Sequence, residues 1–146
     1  MLRVDIITPD GTVFEGETDS LSLPTPDGEI TILPHHIPLI SILAPGTITV
    51  RRGGREELFA VSSGVIEVDG FSIRVLADTA DRAEALEEAE IERAKATAQA
   101  LMTERRHDVE GFAEATAVLE RELARLRTVR RHRGARGVSH PHSDAA

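Results

Sequence analysis

A β-domain of the sandwich or barrel type, followed by an antiparallel hairpin of two helices, is the fold this 146-residue sequence predicts. Three observations carry that expectation. From Met1 to about Ala77, apolar residues recur at every second position between closely spaced turn residues. From about Asp81 the apolar period lengthens to about 3.6 and β-branched residues become sparse. After about Arg133 the apolar pattern stops, while Gly134, Gly137, Pro141 and Ser143 accumulate. The expected limits are residues 1–80 for the β-domain, 81–133 for the hairpin and 134–146 for a disordered tail.

Leu2, Val4 and Ile6 alternate with Arg3 and Asp5, and Pro9-Asp10-Gly11 turns the chain into a second strand holding Val13 and Phe14. Leu21 and Leu23 alternate with Ser20 and Ser22 before the turn-rich run Pro24-Thr25-Pro26-Asp27-Gly28. Ile30 and Ile32 mark a further strand, and Ile48 and Val50 another. Arg52-Gly53-Gly54-Arg55 reads as a hairpin tip leading to Leu58, Phe59 and Val61. Asp69-Gly70, both tolerant of positive φ, reads as a two-residue turn joining Val65–Val68 to Phe71–Leu76. Eight or more short strands at this spacing predict a sandwich or a barrel.

In the helical half, Asp78 or Thr79 is expected to cap the first helix, whose stripe is Ile91, Ala94, Ala98 and Leu101. Glu104-Arg105-Arg106-His107-Asp108 breaks the period. Asp108 then stands as the expected cap of a second helix carrying Phe112, Ala115, Leu119, Leu123 and Leu126 on one face. Two amphipathic helices joined by a short polar link predict a hairpin.

Composition narrows the possible functions. A net charge of -8 and a pI near 5.2 argue against a protein that coats nucleic acid or anionic lipid by bulk electrostatics. The charge is uneven: from Glu120 onward seven arginines oppose three carboxylates, a local balance of +4, so residues 1–119 carry -12. An acidic body with a basic end predicts either a solubilising end or a surface for an acidic protein partner. Cysteine is absent. The apolar stretch from Ile37 to Ala44 contains Pro38 and Ser41 and is too short to span a bilayer, and Arg3 and Asp5 interrupt any secretory leader. The expectation is a cytosolic chain, or one held at a membrane only through another protein.

No motif for catalysis emerges. Neither a phosphate-binding glycine loop nor a dinucleotide fingerprint occurs. Ser62-Ser63-Gly64 lies between strands, whereas a nucleophile elbow needs a strand-to-helix turn. His35 and His36 are adjacent, so on extended backbone they point to opposite sides and are poorly placed to share a metal; His140 and His142 fall in the expected tail. Glu56-Glu57 and Glu87-Glu88 have no evident desolvating pocket to separate their pKa values. With no Trp, no Tyr and four Phe, the chain lacks a stacking platform for sugars or single strands. That disfavours the competing reading, a nucleic-acid-binding module using the arginine-rich end; an independent hydrolase is disfavoured by the missing nucleophile and metal ligands.

One run is distinctive: Asp27-Gly28-Glu29-Ile30-Thr31-Ile32-Leu33-Pro34-His35-His36-Ile37-Pro38-Leu39-Ile40, followed by Ala44-Pro45-Gly46-Thr47-Ile48-Thr49-Val50. Together with Thr8–Glu17, Phe59–Val68, Val75–Ala80 and the helical run from Ala115 to Val129, it resembles the epsilon subunit family of the F-type ATP synthase over roughly residues 2–130. The resemblance implies a ten-stranded β-sandwich followed by a two-helix hairpin. It implies a non-catalytic place in the central stalk, where the sandwich binds the gamma subunit and sits on the membrane rotor ring of c subunits. Proton-driven rotation would then reach the alpha/beta catalytic head. The expected location is the cytoplasmic face of the cell membrane, without direct insertion, nucleic acid, metal or cofactor.

Glu29 and His36 match family positions facing the ring and stalk, and Arg121, Arg125 and Arg127 are the residues expected to meet acidic segments of the head and restrain hydrolysis. Thr31 and His35 stand where the family usually has glycine. Some members bind ATP on the hairpin through [IL]-D-x-x-R-A; the matching stretch here is Ala89-Glu90-Ile91-Glu92-Arg93-Ala94. Arg93 and Ala94 fit the motif but Ala89 and Glu90 do not, which disfavours an ATP site at Glu90 and Arg93. The mostly alanine stripe of the first helix forgoes about 0.8 kcal/mol per missing methylene, so weak docking on the sandwich is expected.

Overall fold

The computed structural model describes the backbone of residues 1–144 and the side chains of residues 1–134. Alternating apolar residues fold into ten strands: β1 (Leu2–Thr8), β2 (Gly11–Thr18), β3 (Ser20–Thr25), β4 (Gly28–Ile32), β5 (Leu39–Leu43), β6 (Gly46–Arg52), β7 (Arg55–Val61), β8 (Gly64–Val68), β9 (Ser72–Ala77) and β10 (Ala80–Arg82). A 3-10 turn at Ala83–Ala85 precedes α1 (Glu88–Glu104), and α2 is Val109–Asp144. The side chains of the tail expected over residues 134–146 lie, apart from Gly134, outside the described residues.

The strands form two five-stranded sheets, so the architecture is a sandwich and not a barrel. The first sheet has the order β2-β1-β9-β8-β5 and the second β10-β7-β6-β3-β4. All pairs are antiparallel except β1 with β9. The inward residues of both sheets, among them Leu2, Ile6, Leu21, Ile48, Phe59 and Ile73, are fully buried and make one core. Gly64 is required where β8 meets β9, because a Cβ there would lie 2.0 Å from the Leu76 carbonyl oxygen.

Two strands escape the period-two pattern. β5 is a nearly unbroken apolar run, and β10 is three residues long. β10 also moves the start of the first helix. The helix expected from about Asp81 with Asp78 or Thr79 as its cap begins instead at Glu88. Ala80–Arg82 pair with Val61–Phe59 of β7, while the Asp78 N–H donates to the Ser63 carbonyl and the Thr79 N–H to Ser62 Oγ. Those backbone donors are committed to the sheet before a helix can use them. The residue ahead of α1 is Glu87, in extended conformation and without a side-chain cap.

The Asp69-Gly70 turn also differs from expectation. Only Gly70 has positive φ, at 98°. Asp69 instead accepts hydrogen bonds from the Ser72 N–H (2.8 Å), the Phe71 N–H (3.3 Å) and Ser72 Oγ (2.9 Å). These bonds, led by that from the Ser72 backbone, hold its carboxyl below the usual carboxylate range.

The hairpin forms as expected, with residues 105–108 as the connection. Ile91 and Ala98 of α1 and Ala115 and Leu126 of α2 are buried. α2 has a second contact face. Ala124 and Thr128, one turn apart, are buried, and the Thr128 hydroxyl lies 2.7 Å from that of Thr47 on β6. Small and hydroxylated residues thus seat α2 on the outer side of the second sheet. That choice buries little apolar area per residue.

Candidate interaction surfaces

The outer face of the first sheet departs from the polar pattern of a free sheet. Register aligns Ile42 with Val65, Val65 with Leu76 and Leu76 with Ile7, one apolar row across β5, β8, β9 and β1. Ile42 is 62% exposed, and Ile40, on the same face of β5, is 78% exposed. The row opens at its far end into a shallow groove of about 280 Å³ lined by Ile7, Thr8, Pro9, Leu76, Ala77 and Asp78. Beside the apolar row runs a charged one: Glu67 opposes Arg74, and Arg74 opposes Asp5. An apolar stripe with a charged margin has the anatomy of a protein-binding surface.

β5 is also an edge strand, and its sequence Leu-Ile-Ser-Ile-Leu carries no charge and no proline. The other edges are blunted: β2 carries Glu15 and Glu17, β4 carries Glu29, and β10 is short. Monomeric proteins protect such edges. Here the protection is missing on β5 alone.

The loop after β4 closes one end of the sandwich. His35 adopts φ 67°, a left-handed conformation that favours glycine and explains the usual family residue at this position. Its N–H donates to the Gly70 carbonyl (2.8 Å), and its ring meets Phe71 edge-on at 5.1 Å. His36 Nδ1 donates to the Ile37 carbonyl at 2.7 Å. Leu33, Ile37 and Phe71 are exposed around this brace. A His35→Val substitution, ordinarily harmless in an exposed loop, is expected to cost about 1–2 kcal/mol, because an aromatic edge contact is lost and a β-branched residue is forced to positive φ. Urea denaturation against His35→Gly, expected near neutral, checks this.

Of the two residues matched to family positions facing the ring and stalk, Glu29 stands near the start of β4 and His36 four residues beyond its end. Glu29 lies 3.9 Å from Arg131 of α2. Arg125 is the most engaged of the three expected arginines. Its Nη2 and Nε lie 2.7 and 2.9 Å from Asp81 of β10, and its Nη1 lies 3.0 Å from Glu122. Arg121 Nε reaches the same Glu122 oxygen at 3.3 Å. Arg127 is exposed and has no ion pair among the described residues. Glu122 itself is buried, with its second oxygen unpartnered.

Glu90 and Arg93 are exposed on α1 and share no hydrogen bond or ion pair with each other among the described residues. The cleft nearest the hairpin, about 230 Å³ lined by Thr8, Asp10, Thr79, Asp81 and Arg125 among others, contains neither. Among the described residues no group of three His, Cys, Asp or Glu side chains could hold a metal ion. No helix there is long and apolar enough to cross a membrane.

Residue-period reasoning missed the apolar stripe, Asp81 and Glu122. A signal for the stripe was present: in β5 both faces are apolar, as in strands covered on both sides. Asp81 gave no signal because its arginine partner lies 44 residues away, and Glu122 gave none because arginines one and three residues away on the same helix do not reveal that it is buried.

The comparisons with known proteins agree with these features. The family model described as "ATP synthase, Delta/Epsilon chain, beta-sandwich domain" matches residues 1–83, reaching past β10 to the 3-10 turn. An ATP synthase epsilon chain of Chloroflexus aggregans is 38% identical over 134 residues, covering 90% of this chain and 94% of that one. The epsilon chain of Desulforamulus reducens is 47% identical over 97 residues, 66% of this chain and 71% of its own. In fold, the chain resembles one in the Euglena gracilis mitochondrial ATP synthase structure (OSCP/F1/c-ring in rotational state 1), with a TM-score of 0.71 at 20% identity over 82% of this chain and 75% of that one. A β-sandwich of this register, a helical hairpin seated on its second sheet and sequence similarity along most of its length together mean that the chain belongs to the ATP synthase epsilon-chain family.

Proposed function

We propose that the chain is the rotor subunit through which the central stalk of a proton-translocating ATP synthase joins its membrane ring to the alpha/beta head, and that its helices restrain ATP hydrolysis. The observation that carries the stalk role is the uncovered apolar stripe of Ile7, Ile40, Ile42, Val65 and Leu76, which fits the gamma subunit. Two five-stranded sheets around one core make a stiff body, suited to carrying torque rather than absorbing it. The braced loop bearing His36 and the neighbouring Phe71 turn suit contact with the c-subunit loops of the ring. Glu29 is assigned to the same stalk contacts, and Arg121, Arg125 and Arg127 to acidic segments of the head. The chain would then sit at the cytoplasmic face of the cell membrane through its partners. A nucleic-acid role is less well supported, because much of the arginine-rich end is already matched by carboxylates.

The test is ATP hydrolysis by a catalytic head lacking this subunit, with the full chain or with a version ending at Leu86. A stop near Ala80 would remove part of β10 and confuse unfolding with loss of the helices. Both forms are expected to bind, and only the full chain to inhibit. Failure of both to bind would refute the stalk role.

A further inference from the structure

We propose that β5 is a self-recognition strand: two copies of the free chain pair antiparallel through Leu39–Leu43 about a two-fold axis at Ser41, joining their first sheets into one of ten strands. The inference goes beyond the stalk reading and does not depend on it. Among the described residues β5 has one ladder, with β8, and its other edge carries no strand. Such an edge offers a row of backbone donors and acceptors to any strand that matches it.

The match lies in the sequence itself. Leu-Ile-Ser-Ile-Leu reads the same in both directions, so an antiparallel pair centred on Ser41 sets Leu39 against Leu43, Ile40 against Ile42 and Ser41 against Ser41 of the second copy. A two-fold interface demands this self-complementarity, because each contact occurs twice with the roles exchanged. The register is bounded as well. Pro38 before the strand and Pro45 after it carry no N–H, and the Ala44 N–H already donates to the Pro24 carbonyl at 3.0 Å, so the new ladder ends with β5. A slip of one residue would turn the isoleucines of the second copy to the opposite face.

Electrostatics favour the same strand. Residues 30–50 contain no Asp, Glu, Lys or Arg, although 29% of the chain is charged and its net charge is -8. Two such chains repel each other over most of their surface and least along this segment. On the outer face the pairing gathers Ile40 and Ile42 of both copies into one apolar cluster, with Val65 of each copy beside it. Glu67 opposes Ile40 on β8 and has Arg74 opposite it on β9, so the charge beside the seam is balanced within each copy. Five paired residues and two exposed isoleucines per copy make a contact smaller than the roughly 1,200 Å² of a stable interface. The dimer is therefore weak, and a protein that covers this edge takes the place of the second copy.

The experiment uses the full chain alone. Sedimentation velocity from about 5 to about 500 μM is expected to show the weight-average mass rising from 15.9 kDa toward twice that value. Ile42→Lys changes an exposed side chain and is expected to move the association midpoint at least about tenfold upward in concentration. Register is read separately. The chain has no cysteine, so a single introduced cysteine can form a disulfide only between copies. In air, Ser41→Cys is expected to couple about tenfold faster than Val109→Cys, although Val109 is the more exposed position, and adding Ile42→Lys should remove that lead. A chain that stays at 15.9 kDa throughout, or that associates equally well with Ile42→Lys, would overturn the proposal. So would equal coupling at the two cysteines. No partner subunit enters the measurement, so a negative result leaves the stalk reading standing, and a failure of gamma to bind leaves self-recognition standing.

Discussion

Replacing Phe59 with alanine is expected to lower the stability of the sandwich by about 3–5 kcal/mol, a large share of the roughly 5–15 kcal/mol that holds a domain folded. Phe59 is fully buried in β7, between Ile48 of β6 and Arg82 of β10. Its ring meets Phe14 edge-on at 5.7 Å and lies 5.1 Å beneath the Arg82 guanidinium, which also donates to the Val13 carbonyl at 2.9 Å. Truncation would therefore open a cavity and remove the seat of the cation that ties β10 to β2. The chain has four phenylalanines and neither Trp nor Tyr, and among the described residues Phe14 is the aromatic ring beside the gap. Urea denaturation followed by circular dichroism measures the loss. A loss under about 1.5 kcal/mol, the size expected of volume-conserving swaps, would mean that the two sheets close over the gap.

The sandwich was legible because its strands are half-buried. Leu2, Val4 and Ile6 alternate with polar residues, and the turns between such strands carry Gly, Asp and Pro at short spacing. β10 was not legible, since three residues cannot show a period, and its existence depends on β7 offering an unpaired edge. The shift of the first helix from Asp81 to Glu88 follows directly: a local helical preference lost to backbone hydrogen bonds made with residues about twenty positions earlier. The ten-strand count came from family resemblance and is matched by the ten strands of the structure.

The surfaces were less legible than the fold. Residue patterns marked the arginines of α2 but could not say what they face. Arg125 lies 44 residues from Asp81 in sequence, and only the docked hairpin joins them. The same patterns treated the second helix as having one apolar stripe. Its other buried face consists of Ala124 and Thr128, which score weakly as core, and becomes a contact because Thr47 presents a hydroxyl at the right place. His35 is the opposite case. A histidine in place of a family glycine was visible in sequence, and the φ of 67° supplies the reason the position matters.

Charged substitutions on the apolar stripe are expected to weaken binding to gamma more than any other surface change. Ile40→Asp and Ile42→Asp, singly, should each reduce the affinity of the chain for gamma by about 30-fold, equivalent to roughly 2 kcal/mol, the loss typical of a central interface anchor. The two side chains are 78% and 62% exposed, so the free sandwich should keep its melting temperature. Isothermal titration against gamma provides the measurement, with Glu67→Gln, directly opposite Ile40, as a rim control expected to change affinity little. Unchanged affinity in both aspartate variants would show that gamma sits elsewhere. The physical case for this face is that the substitutions should also improve the behaviour of the isolated chain. An uncharged edge strand with two exposed isoleucines is an aggregation risk in a free protein and an asset in one that is always covered. A sequence that keeps Leu39–Leu43 free of charge, while placing glutamates on β2 and β4, is one whose β5 is shielded by a partner rather than by its own side chains.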